Sequence, residues 1–427
     1  GHRSRDDLVL RLQLGIRYSV ARIAHIPVGE LRETDFGSRA CLRVKFPKAG
    51  SQTTPAHRSE DFAWKDYRPI VFRNLREMFK IDAADYMMSI CGTDNNLREL
   101  CSPGKSGSTF FLSQDNRFII KTLRKAELKV LLRMLLRYHQ HVRRHENTLL
   151  VKFFGLHRIR ASGGEKLRFV VMGNVFCTEL RIHRRFDLKG SSLGRSAEKV
   201  DINENSILKD LDLKGCFHLE PSWRDALIQQ IDIDSKFLES KNIMDYSLLL
   251  GVHYRAPKHR FFVDGLRIVS EDGKPFRFDR ENEDEISPPG PVVLVPHSSD
   301  GCSPVVGLHS RGSQLRASPI AGDKEVDLLL PGTARYIDNT YELQIQLGVN
   351  MPARVEHRED DAEIFDVVLF LGIIDILQEY NMRKRIEHAY KSVQFDSVSI
   401  SAVDPSFYSR RLLEFIRKVF PANPAAD

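Results

Sequence analysis

Apolar positions between 70 and 79 recur at helical spacing. Val71, Leu75 and Phe79 fall on one face, with Arg73 and Arg76 elsewhere, which predicts an amphipathic helix. Residues 8–20 begin with apolar–polar alternation yet also fit a helix through Val9, Leu12 and Ile16, so strand and helix both stand. Two short β-type runs, 109–112 and 117–121, flank the turn residues Ser113-Gln114-Asp115-Asn116 and predict a hairpin. A long helix follows over 125–144, burying Leu128, Leu131, Leu132, Leu135 and Val142, and then a strand over 167–172. A second strong helix starts at Ser222, whose hydroxyl is expected to cap it with support from Asp225. Its core face carries Trp223, Leu227, Ile231 and Leu238. Residues 343–349 and the strongly apolar 365–374 predict core strands, and 406–420 a last helix before Pro421.

Between 256 and 336 this patterning fades into Pro288-Pro289-Gly290-Pro291, Ser298-Ser299-Asp300-Gly301 and Ser303-Pro304. The stretch reads as a mobile insertion with few core contacts. The 427 residues suffice for one large domain or two lobes. A net charge of +7 favours an anionic partner, whether membrane surface, phosphorylated ligand or nucleic acid, without choosing among them. No run approaches the roughly 18 apolar residues of a membrane-spanning helix. The opening Gly1-His2-Arg3-Ser4-Arg5 has no apolar signal region and no starting Met, so the chain reads as a piece lacking its upstream part. Cys41, Cys91, Cys101, Cys177, Cys216 and Cys302 are scattered, which argues against a disulfide framework or zinc site and for reduced thiols.

Phosphoryl transfer needs backbone donors around phosphates, cations, a metal-holding carboxylate and a base. The small-residue loop Gly104-Lys105-Ser106-Gly107-Ser108 lets backbone N–H groups approach phosphate oxygens, although an ordinary turn has the same composition. Lys121 ends the second hairpin strand, and Lys189 lies in the tight turn of Arg184-Arg185-Phe186-Asp187-Leu188-Lys189-Gly190-Ser191. His183-Arg184 lacks the Asp and Asn spacing of a protein kinase catalytic loop, and no D-F-G or A-P-E follows. Asp245 lies between a helix and an apolar strand, and Asp375 ends the most apolar strand of the chain. A carboxylate there is costly unless partnered; a metal ion, a cap or a salt bridge would each serve.

Asp187-Leu188-Lys189-Gly190-Ser191, Ile243-Met244-Asp245-Tyr246-Ser247-Leu248-Leu249 and Gly372-Ile373-Ile374-Asp375 occur in the order found in phosphatidylinositol phosphate kinases. With Phe176-Cys177-Thr178-Glu179 and the run from Leu347 to Arg354, the chain most resembles the plant phosphatidylinositol-4-phosphate 5-kinases, over nearly its whole length apart from the insertion. The resemblance implies an α+β, two-lobed fold distantly related to protein kinases, with antiparallel sheets, packed helices and ATP between the lobes. An N-terminal lobe over 8–175 and a C-terminal lobe over 176–421 are expected, the latter with an insertion at 257–335 and a specificity loop at 376–404. By the same resemblance Lys121 and Lys189 bind ATP phosphates under the Gly104–Ser108 loop, and Met172 and Asn174 form the hinge beside adenine. Asp245 acts with Lys189 at the substrate hydroxyl, and Asp375 holds Mg²⁺. Glu127 is a candidate partner of Lys121.

The implied reaction is transfer of the ATP γ-phosphate to the 5-hydroxyl of phosphatidylinositol 4-phosphate, on the inner face of the plasma membrane. After Asp375, Leu377, Tyr380, Ile386 and Tyr390 interleave with Arg383, Lys384, Arg385, His388 and Lys391, a basic amphipathic pattern suited to an anionic bilayer. The resemblance makes Lys384 and Arg385 its dibasic pair and Glu387 its determinant for the 4-phosphate. Lys125, Lys129, Arg133, Arg137 and His141 recur four apart, which a shared anionic partner or a solvated face explains equally well. A pseudokinase is disfavoured by the joint presence of Lys121, Lys189, Asp245 and Asp375. Nucleic acid is not expected as a partner, for want of a reader motif, and a homodimer is left open.

Overall fold

The computed structural model describes residues 2–27, 29–92, 97–100, 107–178, 180–192, 194–196, 206–254, 314–317, 326–329, 335–337, 340–342, 349–357, 364–381 and 403–422. The chain divides into two compact units, Gly1–His145 with Val151–Cys177, and Glu146–Leu150 with Thr178–Asp427.

The first unit is built on α1 (His2–Ile23), β1 (Cys41–Phe46), β2 (Phe62–Tyr67), α2 (Pro69–Met78), α3 (Ala83–Cys91), β3 (Leu97–Leu100), β4 (Phe110–Ser113), β5 (Phe118–Thr122), α4 (Lys125–Arg144), β6 (Phe153–Ala161) and β7 (Lys166–Gly173). Its strands form one antiparallel sheet in the order β1-β2-β6-β7-β5-β4-β3. The ambiguity at residues 8–20 resolves to helix, because Val9, Leu12, Ile16 and Val20 are all buried along one stripe of α1. Gly15 lies in that stripe, and a Cβ there would come within 2.2 Å of the Trp64 ring. Glycine thus lets the helix seat on β2, and the Trp64 indole N–H donates to Ser19 Oγ at 2.8 Å. In α2 the expected face holds with Val71 and Leu75, and Phe72 joins it; each such burial contributes about 1.5–3 kcal/mol. Arg76 departs from the expectation. It is buried and donates to the Phe154 carbonyl at 2.5 Å, so a charged residue occupies a core position.

Across β1, β2, β6 and β7 the opposite face of this sheet carries two cationic rows. Register aligns Arg43 with Lys65, Lys65 with Arg158, and Arg158 with Arg168 across four strands. The adjacent row runs Lys45, Ala63, Arg160 and Lys166. Residues directly opposite, and residues two apart, share a face, so seven cations stand together there with no acid in either row. Burial, together with Arg43, Arg158 and Arg68, lowers the Lys65 pKa against an opposing pull from Cys41. On α4, Lys125, Lys129, Arg133 and Arg137 are exposed as their spacing suggests, whereas His141 is buried and leaves the stripe.

The second unit contains β8 (Arg184–Leu188), β9 (Ile207–Lys209), β10 (Gly215–His218), α5 (Pro221–Ser240), β11 (Ser247–Tyr254), β12 (Gln314–Ala317), β13 (Val326–Leu329), β14 (Arg335–Ile337), β15 (Thr340–Glu342), β16 (Val349–His357), β17 (Ile364–Ile374) and α6 (Pro405–Val419). Its main sheet has the order β10-β16-β17-β11-β8-β9, antiparallel except where β8 runs parallel to β9. The near-continuous apolar run of β17 is explained by its central place between β16 and β11. Helix α5 starts one residue earlier than expected and is capped by the Glu220 carboxylate, which accepts from Trp223 N at 3.2 Å. Ser222 does not cap it; its hydroxyl donates to that same carboxylate. Most of 257–335 and of 343–349 lies outside the described residues. Within and beside the former, β12 pairs with β13 and β14 with β15.

Candidate functional site

Each unit presents its own set of candidate residues. In the first, Lys121 sits on β5 opposite Phe110 of β4 and Val170 of β7. Its Nζ lies 3.9 Å from Glu127 Oε1 and 5.5 Å from the Phe110 ring centre, in a largely buried setting. The other Glu127 oxygen accepts from the Arg124 backbone N–H at 2.8 Å, so one carboxylate both closes the first turn of α4 and faces the lysine. Gly107 has φ of 65° with open space where a Cβ would stand, and Ser108 is buried. Gly104, Lys105 and Ser106 lie outside the described residues. Met172 pairs with Ile119 at the end of β7. Asn174 ties the following loop to the hairpin turn: its amide donates to the Asn116 carbonyl at 2.7 Å while its oxygen accepts from Phe176 N at 3.1 Å. Burial pushes the nearby Cys177 thiol up to about 11.

In the second unit, strand register gathers three predicted residues. Ser247 of β11 is opposite Ile374 of β17, and Leu248 of β11 is opposite Leu188 of β8. Asp245, Asp375 and Lys189 therefore all leave the sheet at one end of three adjacent strands. Lys189 Nζ donates to Asp245 Oδ1 at 2.8 Å and to the Asp245 carbonyl at 3.0 Å. Both acids have left-handed backbone, φ of 63° at Asp245 and 60° at Asp375. Met244, Tyr246 and Ile376 beside them are wholly buried. The sharp bend lets an acid point outward from a sequence whose neighbours must point inward, and aspartate tolerates this region better than most residues. The two bends are zipped together, with Met244 N donating to the Gln378 carbonyl at 3.0 Å and Tyr380 N to the Asn242 carbonyl at 2.9 Å.

This zipper alters the reading of the segment after Asp375. Leu377 and Tyr380 are buried, and residues 376–381 are not helical, so the basic amphipathic pattern does not begin at Leu377. Lys384, Arg385 and Glu387 lie outside the described residues.

Sequence reasoning missed the polar frame around Lys189. Arg195 donates to Asp187 Oδ1 and to Asp210 Oδ2, each at 2.6 Å. Burial opposes the Arg195 charge, but Asp187 and Asp210 outweigh it and raise its pKa. Nothing in local pattern marks Asp210, which reaches Lys189 from 21 residues away. Tyr408 of α6 donates to the Tyr246 carbonyl; burial first, then Asp245, raises its pKa.

An acid–lysine pair with a second acid on one sheet end supplies a base, a cation and a metal-binding oxygen. Residues 91–419 match the family described as Phosphatidylinositol-4-phosphate 5-Kinase. Phosphatidylinositol 4-phosphate 5-kinase 9 of Arabidopsis thaliana is 64% identical over 99% of this chain and 52% of its own length. Phosphatidylinositol 4-phosphate 5-kinase 1 of Oryza sativa subsp. japonica is 54% identical over 99% of this chain and 54% of its own. The chain spans about half the length of the curated relatives it matches. Matched along most of its length, the chain belongs to the phosphatidylinositol-4-phosphate 5-kinase family.

Proposed function

We propose that the chain is a lipid kinase that transfers the γ-phosphoryl group of ATP to the 5-hydroxyl of phosphatidylinositol 4-phosphate, making phosphatidylinositol 4,5-bisphosphate at a membrane surface. The observation that carries this reading is the meeting of Lys189, Asp245 and Asp375 at one end of β8, β11 and β17. Asp245 orients or deprotonates the 5-hydroxyl, and Lys189 offsets the charge that develops on the transferred group. Lys121, held toward Glu127, screens the nucleotide phosphates. Gly104 to Ser108 cover those phosphates, and Met172 and Asn174 flank the adenine.

Asp375 suits Mg²⁺. Its carboxylate is a hard, exposed donor, and among the described residues no cluster of three or more metal-binding side chains occurs. Such a donor set fits a cation that takes one or two carboxylates and fills its remaining positions with water and substrate phosphates. When bound there, the ion supplies neutralisation of phosphate charge.

The two cationic rows on the β1-β2-β6-β7 face support an anionic membrane as the working surface. Each cation near such a surface contributes about 1 kcal/mol. Among the described residues no helix is long and apolar enough to cross a membrane, and attachment at the inner face of the plasma membrane is peripheral in this reading. Lys384 and Arg385 add to the contact, and Glu387 selects the 4-phosphate.

The test is an assay on liposomes carrying each of the three monophosphorylated phosphatidylinositols, with the product isomer identified. The 4-phosphate should give the 4,5-bisphosphate at the highest rate. Equal rates on all three, or no ATP-dependent product, would overturn the reading. Glu387→Ala should keep liposome binding while losing the preference.

A further inference from the structure

The turn carrying Lys189 is held from two sides by groups that the reaction above does not use. Strand β9 runs parallel to β8 with Asp187 level with Lys209, which delivers Asp210 beside Lys189. Asp210 is buried, with its side chain 3% exposed. Its Oδ1 accepts from the Lys189 backbone N–H at 2.9 Å and from the Gly190 N–H at 2.7 Å, and its Oδ2 accepts from Arg195 Nε at 2.6 Å. On the other side the turn rests on α6. Gly190 has φ of 68°, and a Cβ there would meet Leu412 Cα at 3.1 Å and the Arg411 carbonyl at 3.2 Å. The Lys189 backbone is thereby fixed, and its side chain ends on Asp245.

We propose that Asp210 is a positioning residue: it aims Lys189 at Asp245 through its two backbone hydrogen bonds, and its charge is secondary. The inference rests on the kinase reading of Lys189. Misplacement of a catalytic group by about 1 Å costs about 10²-fold in rate, so Asp210→Ala should lower turnover by about that factor. Asp210→Asn, which keeps an oxygen acceptor for the two N–H groups, should restore most of it. Because Asp210 acts through Lys189, the two should be non-additive.

The experiment measures turnover and ATP affinity for wild type, Asp210→Ala, Asp210→Asn, Lys189→Met and the Asp210→Ala/Lys189→Met double variant, with the fold of each followed by circular dichroism. Support is a double variant that binds ATP no more weakly than Lys189→Met alone, with Asp210→Asn near wild type. If Asp210→Ala and Lys189→Met weaken ATP binding additively, or folded Asp210→Asn is as impaired as Lys189→Met, the positioning role is overturned. Should Asp210→Ala fail to fold, the comparison of Asp210→Asn with wild type decides by the same criterion. If Lys189→Met itself changes neither turnover nor ATP affinity, the kinase reading of Lys189 falls, and this inference with it.

Discussion

The second unit and the sheet of the first dispose their charges in opposite ways. Around Lys189 two cations meet acids at 2.6–2.8 Å, Arg195 on Asp187 and Asp210, Lys189 on Asp245. On the β1-β2-β6-β7 face seven cations stand in cross-strand register with no acid in their rows. Matched, buried charges hold geometry, because removing one partner strands the other in a low dielectric; Arg195 has two such partners, so neutralising Asp210 alone still leaves it Asp187. Like charges directly opposite in a sheet destabilise it, and a surface that keeps them is suited to an external anion. The Lys189 region favours positional accuracy, and the cationic face is the one proposed to attract an anionic surface.

The largest effects should come from the matched region. Asp375→Asn is expected to abolish turnover. Asp245→Asn should lower it about 10²–10⁴-fold with little loss of ATP affinity, and near-wild-type turnover at saturating substrates would remove Asp245 from the chemistry. Lys121→Met comes next: loss of a charge-assisted contact costs about 1.5–3 kcal/mol, so ATP affinity should fall about 10–10²-fold by titration calorimetry.

Lys65→Glu tests the comparison itself. An acid between Arg43 and Arg158 creates two opposite-charge pairs, each contributing about 0.2–1 kcal/mol. The melting temperature should rise, while sedimentation with anionic liposomes falls about tenfold or more, a gap that narrows as salt shortens the screening length. A variant that is more stable yet binds liposomes unchanged would leave the cationic face without its assigned role.

The smallest effect concerns a neutral contact. His139 Nε2 lies 2.7 Å from Asn74 Oδ1, and burial, with Arg143 adding, lowers its pKa. The unfolded chain then takes up the proton first as pH falls through about 6.5, so stability is lost below that pH. Thermal melts at pH 7.5 and 5.5 should converge for His139→Gln relative to wild type.

Amphipathic period and turn composition carried α2, α4, the β4–β5 hairpin and the apolar β17, because in each the burial of one face sets the element. The acids Asp245 and Asp375 and the lysines stood out as candidates too, since their motifs are contiguous. What was read wrongly depended on neighbours. Arg76 was placed off the apolar face, yet it is buried and donates to the Phe154 carbonyl. Ser222 looked like a cap until Glu220 displaced it.

The sequence by itself singled out the residues proposed for phosphoryl transfer and the family the chain resembles, since residue types and short spacings are local properties. Only the tertiary structure decided that Asp245, Asp375 and Lys189 leave one end of three adjacent strands, and that Asp210 grips the Lys189 turn. It alone aligned Arg43, Lys65, Arg158 and Arg168, four cations from separate strands. The reason is register: hydrogen bonding between strands sets which residues of distant segments stand opposite, and no local pattern encodes that pairing.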